Sequence, residues 1–428
     1  MTMQGIDMKG LTKADVANTL ARNDLGVTAR RMMELRASAG KASIKKIKAM
    51  VDNIDADGRM RDALVWHKAS TGRWAGARWQ PQNFPRDCMK EKDAEEFHRV
   101  IREELDPVAF LTQQIWGTRD EFFTILSQAM RSYIRAEPGK RLLISDFASI
   151  ESRVLAWLAG CDTMLEAYRN HECVYSQFAS RIYGREIKEK GPERQLGKVA
   201  VLGLGYGMGE EKFIESAANT PGVPDMSKTK EVMVWDYRTR KEEPKLLTEG
   251  KIVVNLYRKS YPEIPKFWQN AEQAMIYAIE NQTTIAVRYV TFGCKGQWAW
   301  ITLPSGRSIW YAEPKIVMAK NRWNGKQEQK ITFGGVGVNN HWSRQGTYGG
   351  SLTENCVQAI AADILMAAIH RIDSHGDYPV ILSVHDEVVV ETDRGSVDEF
   401  HKLMTVVPAW AQGCPIEAES GEAVRYGK

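Results

Sequence analysis

Two apolar segments that carry carboxylates restrict the fold of this chain more than any other feature. Residues 141–147, RLLISDF, follow a turn glycine, Gly139, and hold Asp146 next to their end. Residues 379–391, PVILSVHDEVVVE, set two β-branched runs on either side of His385-Asp386. The first predicts a strand and the second a hairpin with a carboxylate at its tip. Asp at a hairpin tip is ordinary turn chemistry. Asp386 beside Glu387 nevertheless concentrates negative charge, which costs energy unless cations lie near. Asp146 at a strand end is placed to hold a metal such as magnesium, which takes hard oxygen ligands and leaves positions for phosphates. The two aspartates are 240 residues apart, so spacing leaves open whether they meet.

Behind Asp146 the spacing predicts a helix. Ser149 is its expected N-cap, Ile150, Val154, Leu155 and Leu158 make the apolar stripe, and Gly160 stops it. Glu151, in its first turn, either complements the helix dipole or serves a metal. Elsewhere, Leu11–Val51 and residues 92–135 show helical spacing, separated by the Gly-, Pro- and Arg-rich loop TGRWAGARWQPQNFPR at 71–86. Residues 161–215 read as helices broken at Gly184 and Gly191-Pro192, 217–250 as a surface insertion, and 251–285 as helix. Residues 286–340 read as strands and turns, and Ser351–Ile372 as a strong helix. This irregular alternation predicts an α+β fold with an insertion, not a regular βαβ series.

Composition narrows the class. A chain of 428 residues, 43% hydrophobic and 26% charged, is an ordinary globular protein of two or three domains. No run of 18 apolar residues is present and the N-terminus lacks an apolar signal core, so neither a membrane span nor secretion is expected. Six scattered cysteines without a CxxC pair argue against zinc or disulfides and for a reducing cytoplasm. Net charge is only +4, but residues 1–50 hold ten Lys/Arg against four acids. That segment reads either as a contact for a phosphate backbone or as a solvated helix face.

A third constellation is RQLGKVAVLGLGYGMG, residues 194–209. Arg194 and Lys198 share a helix face at i, i+4, and Leu202 and Tyr206 continue the spacing. Two cations and then a ring suit a triphosphate followed by a base. The glycines imitate a dinucleotide loop, but GxGxxG fails from Gly203, where the sixth residue is Met208, and from Gly205, where it is Glu210. Two strand-borne carboxylates and a cationic helix are the parts that nucleotidyl transfer needs.

These residues resemble the family A DNA polymerases, over about residues 60–420 and in the family's order. DFASIESRVL resembles the first palm motif, RQLGKVAVLGLGYG the fingers motif, and SVHDEVVVE the second palm motif. TGRWAGARWQPQNFPR resembles the stretch that contacts primer–template, and ENCVQAIAAD the helix whose glutamine faces the primer end. The resemblance implies a right-hand polymerase fold, with an antiparallel palm sheet, helical fingers and a thumb mostly missing. It implies that Asp146 and Asp386 bind two Mg²⁺ ions, with Mn²⁺ able to substitute. Arg194 and Lys198 hold the dNTP, Lys198 also acting as general acid. Tyr206 borders the templating position, and Glu151 crowds a ribose 2′-OH. Arg73, Gln82, Asn83, Gln358 and His385 contact DNA. Leu202 stands where most members carry Phe or Tyr, and Phe147 where they carry Tyr. Gly205 is expected to add flexibility beside Tyr206.

The implied domains are 1–58, a basic thumb remnant; 59–160, palm; 161–340, fingers with the 217–250 insertion; and 341–428, palm again. No exonuclease carboxylate cluster is apparent. The expected partners are primer–template DNA and dNTPs, with room for a separate thumb, exonuclease or processivity subunit, and no membrane. Three other readings compete: a DNA-binding remnant without turnover, one subunit of a split phage polymerase, and a single-subunit RNA polymerase, against which Glu151 argues.

Overall fold

The computed structural model describes all residues except 1, 4–5, 8–12, 40–41, 86–87, 104–121, 189–190, 237–239, 321–324, 338–340 and 428. Residues 104–121 of the predicted helical region 92–135, and Arg86 of the 71–86 loop, lie outside the described residues. The chain divides into two compact units. One comprises Met1–Asp146, Arg371–Met404 and Glu419–Lys428; the other comprises Phe147–His370 and Thr405–Ala418.

The first unit opens with two short strands, β1 (Thr2–Met3) and β2 (Ile6–Asp7). The single helix expected over 11–51 is instead three: α1 (Lys13–Leu20), α2 (Val27–Ala39) and α3 (Ala42–Val51). Asn23-Asp24 and Gly26 break the first pair, with Arg22 turned back onto Asp24 at 2.7 Å. Val16, Ala29 and Met33 make a small core of their own. The strands β3 (Leu64–Val65) and β4 (Ala75–Gly76) follow, then α4 (Glu91–Glu103) and α5 (Phe122–Gln128).

The centre of this unit is a four-stranded sheet. Its strands are β5 (Arg141–Phe147), β14 (Val380–Val384), β15 (Glu387–Thr392) and β16 (Ala418–Ala423), in the order β14-β15-β5-β16. β5 falls on its predicted bounds. Leu142, Ile144, Leu382 and Val389 bury one face of the sheet with Met50, Trp79, Phe84 and Tyr426. β-branched residues fit such a pleated, covered surface. The helix α14 (Val397–Thr405) completes the unit.

The second unit begins with α6 (Ile150–Ala159), α7 (Asp162–Arg169), α8 (Val174–Tyr183), α9 (Pro192–Leu204) and α10 (Glu210–Ala218). Gly160, at φ +72, caps α6 as predicted. Ser149 occupies the N-cap position, but at φ +56 its hydroxyl makes no capping bond. The expected insertion at 217–250 is a two-stranded hairpin, β6 (Thr229–Asp236) with β7 (Lys241–Thr248). Two helices follow, α11 (Glu249–Ser260) and α12 (Glu263–Asn281).

Next comes an antiparallel six-stranded sheet: β8 (Thr284–Val287), β9 (Val290–Lys295), β10 (Trp298–Thr302), β11 (Ser308–Lys320), β12 (Gln327–Val336) and β13 (Trp342–Thr347). The last helix, α13 (Gly349–His375), is long and apolar enough to cross a membrane by length and composition. Over half of that window, 56%, is buried in the fold, as in a core helix.

Candidate active site

In the four-stranded sheet, Asp146 of β5 pairs directly with Glu387 of β15. Directly opposed residues share a face, with Cβ atoms about 4.5–5.5 Å apart. Val384 pairs with Glu387 across the hairpin, so His385-Asp386 is the whole of a two-residue turn. His385 has φ +58, a conformation that costs a side chain energy and that clusters at functional sites. Asp386 therefore stands one residue from the Asp146–Glu387 pair. Asp146 and Asp386 are half-buried, while Glu387 is only 3% exposed.

Glu387 is held from below. The Tyr426 hydroxyl donates to its Oε1, and Arg131 donates to the Tyr426 oxygen at 2.9 Å. The Arg131 guanidinium also lies 5.0 Å from the Tyr426 ring centre. Burial, with the Glu387 charge beside it, pushes the Tyr426 phenol up, so it stays a donor. Asp146, Glu387 and Tyr426 line a cavity of about 400 Å³, together with Glu419, Ser420 and Arg425.

The 71–86 loop is joined to the same hairpin. His385 Nε2 lies 2.9 Å from the Gln82 carbonyl. Trp79 and Phe84 are buried and anchor the loop in the core, and Lys46 reaches the carbonyls of Trp79 and Gln80. Gln82 turns its amide oxygen onto Gly76, where a Cβ would come within 2.4 Å. Asn83 is exposed and Arg73 half-buried.

The second unit carries the cationic group. Leu196, Gly197, Ala200, Val201 and Leu204 bury one face of α9, and Arg194, Lys198 and Leu202 stand together on another, half-buried. A Cβ at Gly197 would lie 2.2 Å from the Tyr175 carbonyl, so α8 and α9 touch backbone to backbone there. Arg194 donates from Nε to Cys173 Sγ at 3.3 Å and lies 5.6 Å from the Tyr175 ring centre. Burial raises the Cys173 thiol, but bonds from Ser176 and Arg194 outweigh it and set the thiol below its usual range. Burial holds the Tyr175 phenol up, against a bond to Ser149, with the Cys173 and Glu151 charges adding to the rise. Glu151, Tyr175 and Arg194 thus share one corner.

Tyr206 does not continue the helix. α9 ends at Leu204, and Tyr206 lies in the turn after Gly205. Gly205 is helical at φ −58 and is required for space, not flexibility: a Cβ would meet Leu155 at 2.7 Å. Trp268 Nε1 donates to the Gly205 carbonyl at 2.9 Å. Gly350 abuts the Tyr206 carbonyl, which also accepts from the Tyr348 hydroxyl at 3.3 Å. Gln358 sits one turn along α13 from Glu354, donating to its Oε1 at 3.2 Å.

Sequence reasoning passed over three positioning residues. Tyr426 and Arg131 are distant in the chain from the carboxylates they support. Arg153 is buried in α6, donating to the Ala148 and Pro415 carbonyls at 2.7 and 2.8 Å, which pins the turn after β5. Its place in the IESR segment was the only signal.

The donor chemistry at Asp146 and Asp386 suits a hard cation. Among the described residues no three His, Cys, Asp or Glu side chains form a closed cage. Carboxylate oxygens are the ligand type that magnesium takes while it keeps waters and substrate phosphates.

Comparison with known proteins agrees with this geometry. The family model "DNA polymerase family A" matches residues 4–295. The DNA polymerase of Bacillus phage SP02 is 32% identical over 99% of this chain and 62% of its own length. DNA polymerase I of Borreliella burgdorferi is 22% identical over 70% of this chain and 26% of its own. The chain thus spans about three fifths of the phage relative's length and less of the bacterial one's. A solved structure, the POL domain of Pol1 from M. smegmatis in complex with DNA primer-template and dNTP, superposes with a TM-score of 0.60. That likeness covers 99% of this chain and 59% of that one at 16% identity, and it establishes a shared fold. With its family model spanning well over half of its residues, this chain belongs to DNA polymerase family A.

Proposed function

We propose that the chain carries out template-directed DNA synthesis, joining a dNTP to a primer 3′-hydroxyl. One observation carries this reading: Asp146 paired with Glu387 in the sheet, with Asp386 in the adjoining two-residue turn. The row of Arg194 and Lys198 on α9 supports it.

In this reading Arg194 and Lys198 grip the triphosphate. The primer 3′-oxygen forms a bond to the α-phosphorus and gives its proton to water. The bond from that phosphorus to the bridging oxygen breaks, and its electron pair leaves with pyrophosphate. Lys198 donates a proton to the pyrophosphate. Two divalent ions, Mg²⁺ or Mn²⁺, bound by Asp146 and Asp386, would supply charge neutralisation at the attacking and leaving oxygens. Tyr426 and Arg131 keep Glu387 fixed, and Glu387 keeps the neighbouring carboxylates in register. Glu151, packed beside Tyr175, crowds a ribose 2′-hydroxyl. Leu202 and Tyr206 border the base. Arg73, Gln82, Asn83, Gln358 and His385 meet the DNA near the primer end, where the nearly uniform minor-groove acceptors allow contact without sequence preference. Residues 1–58, which hold α1 to α3, serve as a basic arm toward the duplex.

Primer extension with four dNTPs tests this. Extension should require Mg²⁺ or Mn²⁺ and stop on chelation, and Glu151→Ala should admit ribonucleotides more readily. A folded protein that binds primer–template yet extends nothing with either metal would leave only the DNA-binding reading.

A further inference from the structure

The six-stranded sheet has two unlike faces. On one, Phe292, Ala299, Ile301 and Tyr311 are buried where α12 packs against the sheet. The other face holds four of the chain's 13 tryptophans. The strand register puts them together: Trp300 pairs with Trp310 and Gly293, Trp298 with Ala312, and Trp342 with Val336, two residues along from Gly334. Trp298, Trp310 and Trp342 are 51%, 59% and 59% exposed. Monomers seldom leave so many large rings in water without a use for them.

The rings are arranged as a platform. Trp298 meets Trp310 edge-on at 6.2 Å, and Trp300 meets Trp310 at 5.5 Å. A Cβ at Gly293 would lie 2.4 Å from the Trp300 ring, and one at Gly334 would lie 2.8 Å from that of Trp342. These two indoles therefore lie down over a glycine of the neighbouring strand. Covering a sheet glycine stabilises the sheet, which accounts for Trp300 and in part for Trp342. Trp298 and Trp310 are not the rings that lie against Gly293 or Gly334, so that explanation does not reach them.

The charge around the rings is mainly positive, with Glu328 on the same face by register and the Glu313 carboxylate 3.7 Å from Arg344. Residues 284–347 contain nine Lys/Arg and two acids, Glu313 and Glu328. Lys295 lies opposite Trp298, while Lys315 and Lys330 fall on the same face by register, and all three are exposed. Arg344, also on this face, is tied to the Glu313 carbonyl at 2.6 Å.

Flat aromatic faces among cations are what a single-stranded nucleic acid needs: its bases stack on rings while its phosphates meet ammonium groups. A duplex keeps its base faces covered. An acidic protein would use the lysines and leave the tryptophans idle. We infer that this sheet face is a binding site for single-stranded DNA, separate from the nucleotide-joining residues and independent of their assignment.

The test uses the full chain, a labelled oligothymidylate and fluorescence anisotropy. Trp298→Ala/Trp310→Ala should weaken binding by about tenfold or more, and the Phe/Phe pair at the same positions should restore most of it. Lys295→Ala/Lys315→Ala/Lys330→Ala should flatten the slope of log affinity against log salt by about 2. That variant leaves the rings intact, so it reads the same face even if the tryptophan variant folds poorly. Bromodeoxyuridine cross-links should map to β10 and β11. Extension of a primer on a template with a short overhang should be unchanged in the double tryptophan variant, which separates this site from the joining reaction. Unchanged affinity and salt slope in both variants would overturn the inference, as would cross-links confined to other strands. Sedimentation showing pairs of chains that the tryptophan variant breaks, with DNA affinity unaltered, would make the face a self-contact instead.

Discussion

Every residue of β15 is buried, and along β5 only Arg141 and Asp146 reach partial exposure. In the six-stranded sheet, by contrast, β10 and the first half of β11 alternate, one residue in and the next out, the common pattern of an antiparallel sheet with one solvated face. The closed sheet fixes its carboxylates through neighbours that have nowhere to move, as Tyr426 and Arg131 do for Glu387. The open sheet commits half its residues to folding and leaves the other half for a ligand. One chain thus holds a site built for geometry and a surface built for contact.

Truncation should separate the two. Leu143, fully buried in β5, should cost about 2–5 kcal/mol when changed to Ala, read by denaturant unfolding. A smaller effect is expected from α4, whose cluster shares Tyr133 with the core under the closed sheet. There burial, with Arg425 nearby, pushes His98 down to about 4, and its Nε2 lies 2.9 Å from Ser132 Oγ. Above pH 6.5 the imidazole is neutral in both states. As pH falls toward 4 the unfolded chain takes a proton that the folded one refuses, so stability drops by roughly 2–3 kcal/mol. His98→Gln should flatten stability over that window; an unchanged slope would place the titration elsewhere. The smallest loss is expected from Trp310→Ala on the open face, within about 0.5 kcal/mol. A loss as large as that of Leu143→Ala would erase the contrast.

Much of the closed sheet was legible because its signals are local. RLLISDF and the β-branched runs around His385-Asp386 declare a strand and a hairpin without reference to the rest of the chain. The face of Arg194, Lys198 and Leu202 was likewise plain from i, i+4 spacing. What stayed hidden depends on contacts between distant residues. The register that pairs Glu387 with Asp146 is set across 241 positions, and Tyr426 reaches Glu387 from the segment after β16. Ser149 has the right residue type for a cap, but the tight turn after β5 puts it at positive φ and directs its hydroxyl to Tyr175. Tyr206 fits the helical period, yet the helix ends at Leu204, and Gly205 after it is a glycine because Leu155 leaves no room for a Cβ. The tryptophan face could not be read as one surface until strand order showed which rings are neighbours.

The central claim is that Asp146 and Asp386 act as a pair on the nucleotide-joining step. Single-turnover incorporation of one dNTP, by the wild type, Asp146→Asn and Asp386→Asn, tests it most directly. Both variants should bind primer–template as the wild type does and lose about 10³-fold or more in rate, consistent with the loss of several kcal/mol of metal-borne stabilisation. Incorporation by either variant at the wild-type rate would contradict the account.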